Sequence, residues 1–248
     1  MATDAPLKVE SDPRDTAWAR PVTRLKVGGV PAGAMNINVD GRRVVGPLQG
    51  FGQLWQKTYW VRLTGLKASP AEVMSAWKQN FPKFWPKGNR FYPSLVGIAP
   101  GEVALLSLAM PGGAPLSTGM LVLYADDVSF TMMTPQGHME SGWITFSAFE
   151  QDGATVAQVQ SIARANDPMY EAGFLLFAHG VQERFWRATL TALAAHLGVD
   201  GQVQMRKTCV DARWQWSQAT NIWHNAAVRT GVYLALAPVR WASGLGRR

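Results

Sequence analysis

His138 and Glu140 flank Met139 in the run Thr134-Pro135-Gln136-Gly137-His138-Met139-Glu140-Ser141-Gly142. An imidazole titrates near neutral pH, and a carboxylate two residues away can pair with it. The two are therefore candidates for proton transfer. On an extended chain, positions i and i+2 share a face, so the same spacing also suits a polar turn. Gly137 and Gly142 fit such a turn or a bulge, where backbone geometry decides the residue. A zinc centre lacks support, because His-x-Glu supplies neither a third ligand nor the Cys-x-x-Cys of a deaminase-type site. No nucleophile elbow, phosphate loop or dinucleotide fingerprint is present. The chain is thus expected to use no metal and no cofactor. Cys209, the single cysteine, cannot form an intramolecular disulfide. Arg206 and Lys207 beside it can lower its pKa, although a thiol without a role fits equally.

A second group of residues suits apolar recognition. Tyr124, Phe130, Met132, Ile144 and Phe146 fall on strand-like runs and are candidates to line a cavity, since methionine and aromatic side chains repack around varied ligands. Each also serves as ordinary core. Arg164 ends the last of these runs and can hold a ligand carboxylate at a pocket mouth, or simply be solvated there.

The elements that must position these residues follow from periodicity. Residues 53–63 alternate as a strand, with Trp55, Tyr59, Val61 and Leu63 on one face. Ser69-Pro70-Ala71-Glu72 starts a helix with a capping box and proline at the first position. Met74, Trp77 and Phe81 form its stripe, and Pro82 ends it. Five strand-like runs follow (102–110, 118–125, 128–134, 141–149 and 154–164), joined by short Asp-, Gly- and Pro-containing turns that predict an antiparallel meander. In the fourth run Gly142, Ile144, Phe146 and Ala148 alternate with Ser141, Trp143, Thr145 and Ser147, as in a sheet covered on one face. Asp167-Pro168 opens a long helix that runs to His196, with a bend at Gly180 and Gly198 just past its end. Asp40-Gly41 predicts a small hairpin over 36–45.

Strand, helix, five-strand meander and long helix in that order predict an α+β fold: a curved antiparallel sheet wrapped around a long helix in the C-terminal half, leaving an apolar cavity. The order resembles the SRPBCC superfamily, the helix-grip domains that include START-type lipid-binding and birch-pollen-allergen-like proteins, over residues 50–199. The Gly-His-x-Glu-Ser-Gly turn at 137–142 is also similar to that of an SRPBCC-like bacterial and plant family. The resemblance implies a hydrophobic ligand, and some members are cyclases or dehydratases. No common catalytic set defines the superfamily, so none is carried over. Three segments are expected: an irregular extension over 1–49, the cavity domain over 50–204, and a basic, tryptophan-rich helical tail over 205–248.

Composition bounds the remainder. An apolar fraction of 47% with 11 tryptophans excludes a wholly disordered chain. The net charge of +7 is concentrated in the tail, where seven basic residues accompany one acid. Trp214, Trp216, Trp223, Arg213, Arg229 and Arg240 are its candidate contacts with an anionic membrane surface or a protein partner, and packing on the body is the competing role. Nucleic acid is disfavoured as a partner because the basic residues are sparse. The N-terminus has no apolar signal-peptide core and no run spans a bilayer, which predicts a cytoplasmic protein, peripheral at the membrane if the tail binds there. Binding of a hydrophobic small molecule is the leading expectation. A cyclase or dehydratase using the same pocket and a partner-binding tail are the alternatives.

Overall fold

The computed structural model describes residues 13–110 and 115–242. Residues 13–49 are mostly irregular, with a 3-10 turn at Pro13–Ala17 and a two-residue strand β1 (Val44–Val45). The predicted hairpin over 36–45 does not form. Residues 37–41 are turns, and β1 pairs instead with the end of a strand far along the chain. Leu25 and Val39 of this extension are buried against Leu105 and Leu121, so the segment is a second small core on the body.

Strand β2 (Leu54–Leu63) alternates as predicted, with Tyr59, Val61 and Leu63 buried on one face. Helix α1 (Pro70–Asn80) starts as its sequence dictates. The Ser69 hydroxyl accepts from the Glu72 N–H (3.3 Å), and the Glu72 carboxylate accepts from the Ser69 N–H (2.8 Å). A short strand β3 (Arg90–Tyr92) follows, and then the meander β4 (Val103–Ala109), β5 (Pro115–Ala125), β6 (Ser129–Pro135), β7 (Glu140–Gln151) and β8 (Ala154–Ala165).

The long helix is not continuous. It comprises α2 (Pro168–Gly173), a wider π-helical turn (Phe174–Ala178) and α3 (His179–His196). The irregularity thus precedes Gly180, where the bend was expected. Gly198 stands past the end with φ of +76°, as a C-terminal cap requires.

Among the described residues the sheet has nine strands, the last of them β9 (Gln204–Asp211), and every pairing is antiparallel. Its order is β3-β4-β5-β6-β7-β8-β2-β9, with β1 paired to β6. The sheet curves around α1 and α3, giving the helix-grip α+β architecture. Phe130, Phe146, Val159, Trp77, Leu190 and Leu193 form its core between sheet and helices.

The tail departs most from expectation. Residues 205–211 belong to strand β9 (Gln204–Asp211), which pairs with β2, so the boundary drawn at 204/205 cuts an edge strand. The single helical stripe expected beyond it is a 3-10 segment (Trp216–His224) followed by α4 (Ala226–Ala235) and α5 (Ala237–Ala242). Asn225 separates the first two and caps α4. No helix among the described residues is long and apolar enough to cross a membrane.

Candidate functional site

The sheet face and the helices do not close completely. A cavity of about 230 Å³ remains between β4–β8, the π-helical turn and the first half of α3. Met132, Ile144 and Phe146 line it. Met120, Leu106 and Ala163 join them from neighbouring strands, and Phe174, Phe185 and Trp186 close the helical side. Phe81 and Trp85, in the turn after α1, complete an aromatic wall: Trp85 meets Phe185 edge-on at 5.1 Å, and Phe146 meets Trp186 at 5.5 Å.

The other apolar candidates lie elsewhere. Phe130 stacks beneath Phe146 at 4.6 Å and is fully buried in core. Tyr124 leaves the inner face because the β5–β6 register shifts between Val122 and Tyr124. Its ring packs on Trp18 at 4.7 Å and its hydroxyl donates to Asp126 (2.5 Å). Arg164 is 2% exposed and points away from the cavity. It donates to the carbonyls of Gly52 (2.6 Å) and Arg213 (2.8 Å) and pairs with Asp211 (2.6 Å). It is therefore a clamp that fastens the chain after β9. With Arg213 on its other side, Asp211 is held below the usual carboxylate range, chiefly by hydrogen bonds from Arg213.

His138 sits at the β6–β7 turn, buried and on the cavity wall. Its Nδ1 lies within hydrogen-bonding distance of both the N–H (3.0 Å) and the carbonyl oxygen (3.1 Å) of Glu140. Burial lowers its pKa to about 4. At neutral pH His138 is thus uncharged and a poor base. The unfolded chain takes up this proton near pH ~6.5 and the folded protein only near pH 4, so stability falls as pH drops through that window, by about 3 kcal/mol in all. Urea midpoints compared between neutral and mildly acid pH should show this loss. The His138→Gln variant should be flatter, and an unchanged slope would overturn the assignment.

The Glu140 carboxylate is held by two residues that motif reading passed over. Its Oε2 accepts from Gln182 (2.9 Å) and its Oε1 lies 3.9 Å from Lys57 Nζ. Lys57 also donates to Gln182 and lies over the Phe174 ring at 5.6 Å. Burial lowers the Lys57 pKa, against the opposing pull of Glu140. The signal for Lys57 was present in its parity: it shares the face of Trp55, Tyr59 and Val61, so it had to point inward. Five buried side-chain polar atoms have no hydrogen-bond partner among the described residues, and two of them belong to residues that line the cavity. The indole N–H groups of Trp85 and Trp186 are buried and unbonded among the described residues. Each such group costs stability unless something accepts from it. No group of His, Cys, Asp and Glu among the described residues has metal-site geometry.

The tail tryptophans are divided. Trp214 packs on Phe51 (5.9 Å) and donates to Glu171 (3.0 Å), and Trp216 meets Phe51 at 5.2 Å. Trp223 is 79% exposed. Arg213 is bound to Asp211, and Arg229 Nε donates to Asn38 (3.0 Å). The Arg240 side chain, with Arg247 and Arg248, lies outside the described residues. Cys209 is exposed on β9.

No family model and no curated protein matches this chain. Solved structures do. The di-domain ARO/CYC protein StfQ from the steffimycin biosynthetic pathway is 10% identical with a TM-score of 0.46, over 59% of this chain and 51% of its own, so the match spans about half of that protein. Ara h 8.0201 is 11% identical with a TM-score of 0.42, over 58% of this chain and 97% of its own. The KanY protein is 17% identical with a TM-score of 0.45, over 59% and 99%.

Proposed function

We propose that this protein binds a compact hydrophobic molecule bearing hydrogen-bond acceptors. The observation that carries the reading is the apolar cavity with two buried, unpartnered indole N–H groups, Trp85 and Trp186, at its wall. Apolar burial supplies affinity at ~25 cal/mol per Å² before the costs of association. Acceptor atoms on the ligand satisfy the indoles. The volume of about 230 Å³ is below the roughly 300–1,000 Å³ of drug-sized pockets. A small ring system, polyketide-like or a short isoprenoid, suits it better than a full-length lipid. Binding is favoured over cyclase or dehydratase chemistry: His138 is a weak base here, and the Glu140 carboxylate is engaged by Gln182 and Lys57. The exposed Trp223 and the apolar surface over 231–239 are where the same reading puts contact with a membrane or partner.

The test is titration with the uncharged fluorophore N-phenylnaphthylamine. Saturable energy transfer from tryptophan, with one probe per chain, is the expected result. Emission that rises linearly without saturation would sink the reading.

A further inference from the structure

The two chain extensions meet beside the β6–β7 turn. The Gly137 carbonyl accepts from the Ala226 N–H (2.9 Å), and a side chain at Gly137, whose φ is +92°, would collide with the His224 carbonyl. This contact holds the start of α4 against the β6–β7 turn. It also closes a second concavity, polar and of about 450 Å³, that is separate from the apolar one. Arg24, Arg42 and Arg43 enter it from the N-terminal extension, and His224 and Arg229 from the C-terminal one.

These cations are brought together without compensation. None of the four arginines makes an ion pair among the described residues. Asp40 is the one carboxylate among the described residues that lines the concavity, and its Oδ1 already accepts from the Val27 N–H (3.1 Å). Three of the four arginines are also tethered. Arg229 Nε donates to the side-chain oxygen of Asn38, which is 1% exposed and donates in turn to Ser117, Ala226 and Thr230. Arg24 is tied through one nitrogen to the Gly41 carbonyl (2.8 Å). Arg42 Nη1 lies 3.2 Å from His224 Nδ1. A guanidinium can only donate, so His224 accepts there, and its neutral ring presents Nε2–H as a further donor. Burial and then the neighbouring arginines lower the His224 pKa, and burial and then Arg229 lower that of Arg42.

We propose that this concavity binds the dianionic phosphate group of a phosphate monoester. Guanidinium forks match the oxygens of a tetrahedral oxyanion, and four of them exceed what a single carboxylate neutralises. An uncompensated cluster gains most from a multiply charged ligand, because the anion relieves repulsion already present in the folded protein. The group can belong to a soluble ester or to the headgroup of phosphatidic acid.

Glycerol phosphate separates the sources when titrated calorimetrically at low ionic strength, alongside sedimentation with phosphatidylcholine vesicles with and without phosphatidic acid. Saturable binding of glycerol phosphate assigns a soluble ester. Binding only to the vesicles that contain phosphatidic acid assigns the headgroup. In either case R42Q/R229Q should weaken binding by roughly tenfold or more, the effect of losing hydrogen bonds to a charged group. The control K67Q/K87Q, which removes the same charge from exposed lysines elsewhere, should leave it unchanged. If R42Q/R229Q lowers the melting temperature, Arg43→Gln replaces it, since that side chain is exposed and should weaken binding without unfolding the protein. The proposal is overturned if neither probe binds, or if the lysine control weakens binding as much as the arginine variant. Probe uptake by the apolar cavity is independent of every outcome.

Discussion

Asp167→Ala should cost about 3–5 kcal/mol, a large share of the ~5–15 kcal/mol that holds a typical domain together. The carboxylate has no exposure and works at two helix starts at once. Its Oδ1 accepts from the N–H groups of Met169 (3.0 Å) and Tyr170 (3.1 Å), capping α2. Its Oδ2 accepts from the side chains of Asn225 (2.9 Å) and Asn166 (3.2 Å). Asn225 turns its own oxygen to Ala227 (3.0 Å) and Val228 (3.1 Å), capping α4. An exposed cap is worth about 1 kcal/mol, because water replaces it. Water cannot readily replace this one, so alanine strands buried donors on both sides. Asn225→Ala should cost less, because Oδ2 keeps Asn166. The double variant should cost less than the sum of the two, since both break one network. Urea denaturation midpoints measure all three. A loss near 1 kcal/mol for Asp167→Ala would show that the two caps are not coupled.

That coupling marks where sequence reading stops. Asp167-Pro168 announced a helix start, because an N-cap acid before proline is a local signal. Asn225 carries no such signal, because nothing local says that its side chain ends one element, begins another and reaches a residue 58 positions back. The same distinction runs through the fold. Short turns and alternation in β4–β8 are properties of neighbouring residues, and they identified the sheet. Strand β9 alternates less clearly (Met205 and Lys207 against Arg206 and Thr208), and its burial is partial because it is an edge. Basic residues suit an edge strand, where they discourage further pairing. They were read instead as part of a helical tail.

The site divides along the same line. Met132, Ile144 and Phe146 were legible because strand parity fixes a face. Tyr124 was misplaced by a register shift, which parity cannot foresee. Arg164 sits on the last pair of β8 residues, and its direction depends on Asp211 at the end of β9 and Arg213 just beyond it. Trp85 and Trp186 needed the approach of α3 to the segment after α1, a tertiary contact with no spacing of its own in the sequence.

Ala163→Phe should abolish uptake of N-phenylnaphthylamine, by at least tenfold, without destabilising the protein. Ala163 is 7% exposed, lies on β8 and faces the cavity. Its inward neighbours on the strand are Ser161 and Val159, so a larger side chain there enters the cavity rather than the solvent. In a filled core the added ring would cost about 1–3 kcal/mol through displaced neighbours. Here it takes space that protein atoms leave open, and filling such space commonly gains about 0.5–2 kcal/mol. The two signs separate the cases: lost binding with an equal or higher melting temperature places the ligand in this cavity. Retained binding would move the ligand elsewhere, whatever the melting temperature. If stability falls along with binding, Ala163→Leu decides, since it adds less volume and should weaken binding by an intermediate amount. The arginine concavity is an independent reference in the same molecule. It shares no lining residue with the cavity, so Ala163→Phe should leave glycerol phosphate binding where it stands in the unmodified chain. A change there would mean that the β6–β7 turn, which places Gln136 at one site and His138 at the other, transmits occupancy between them.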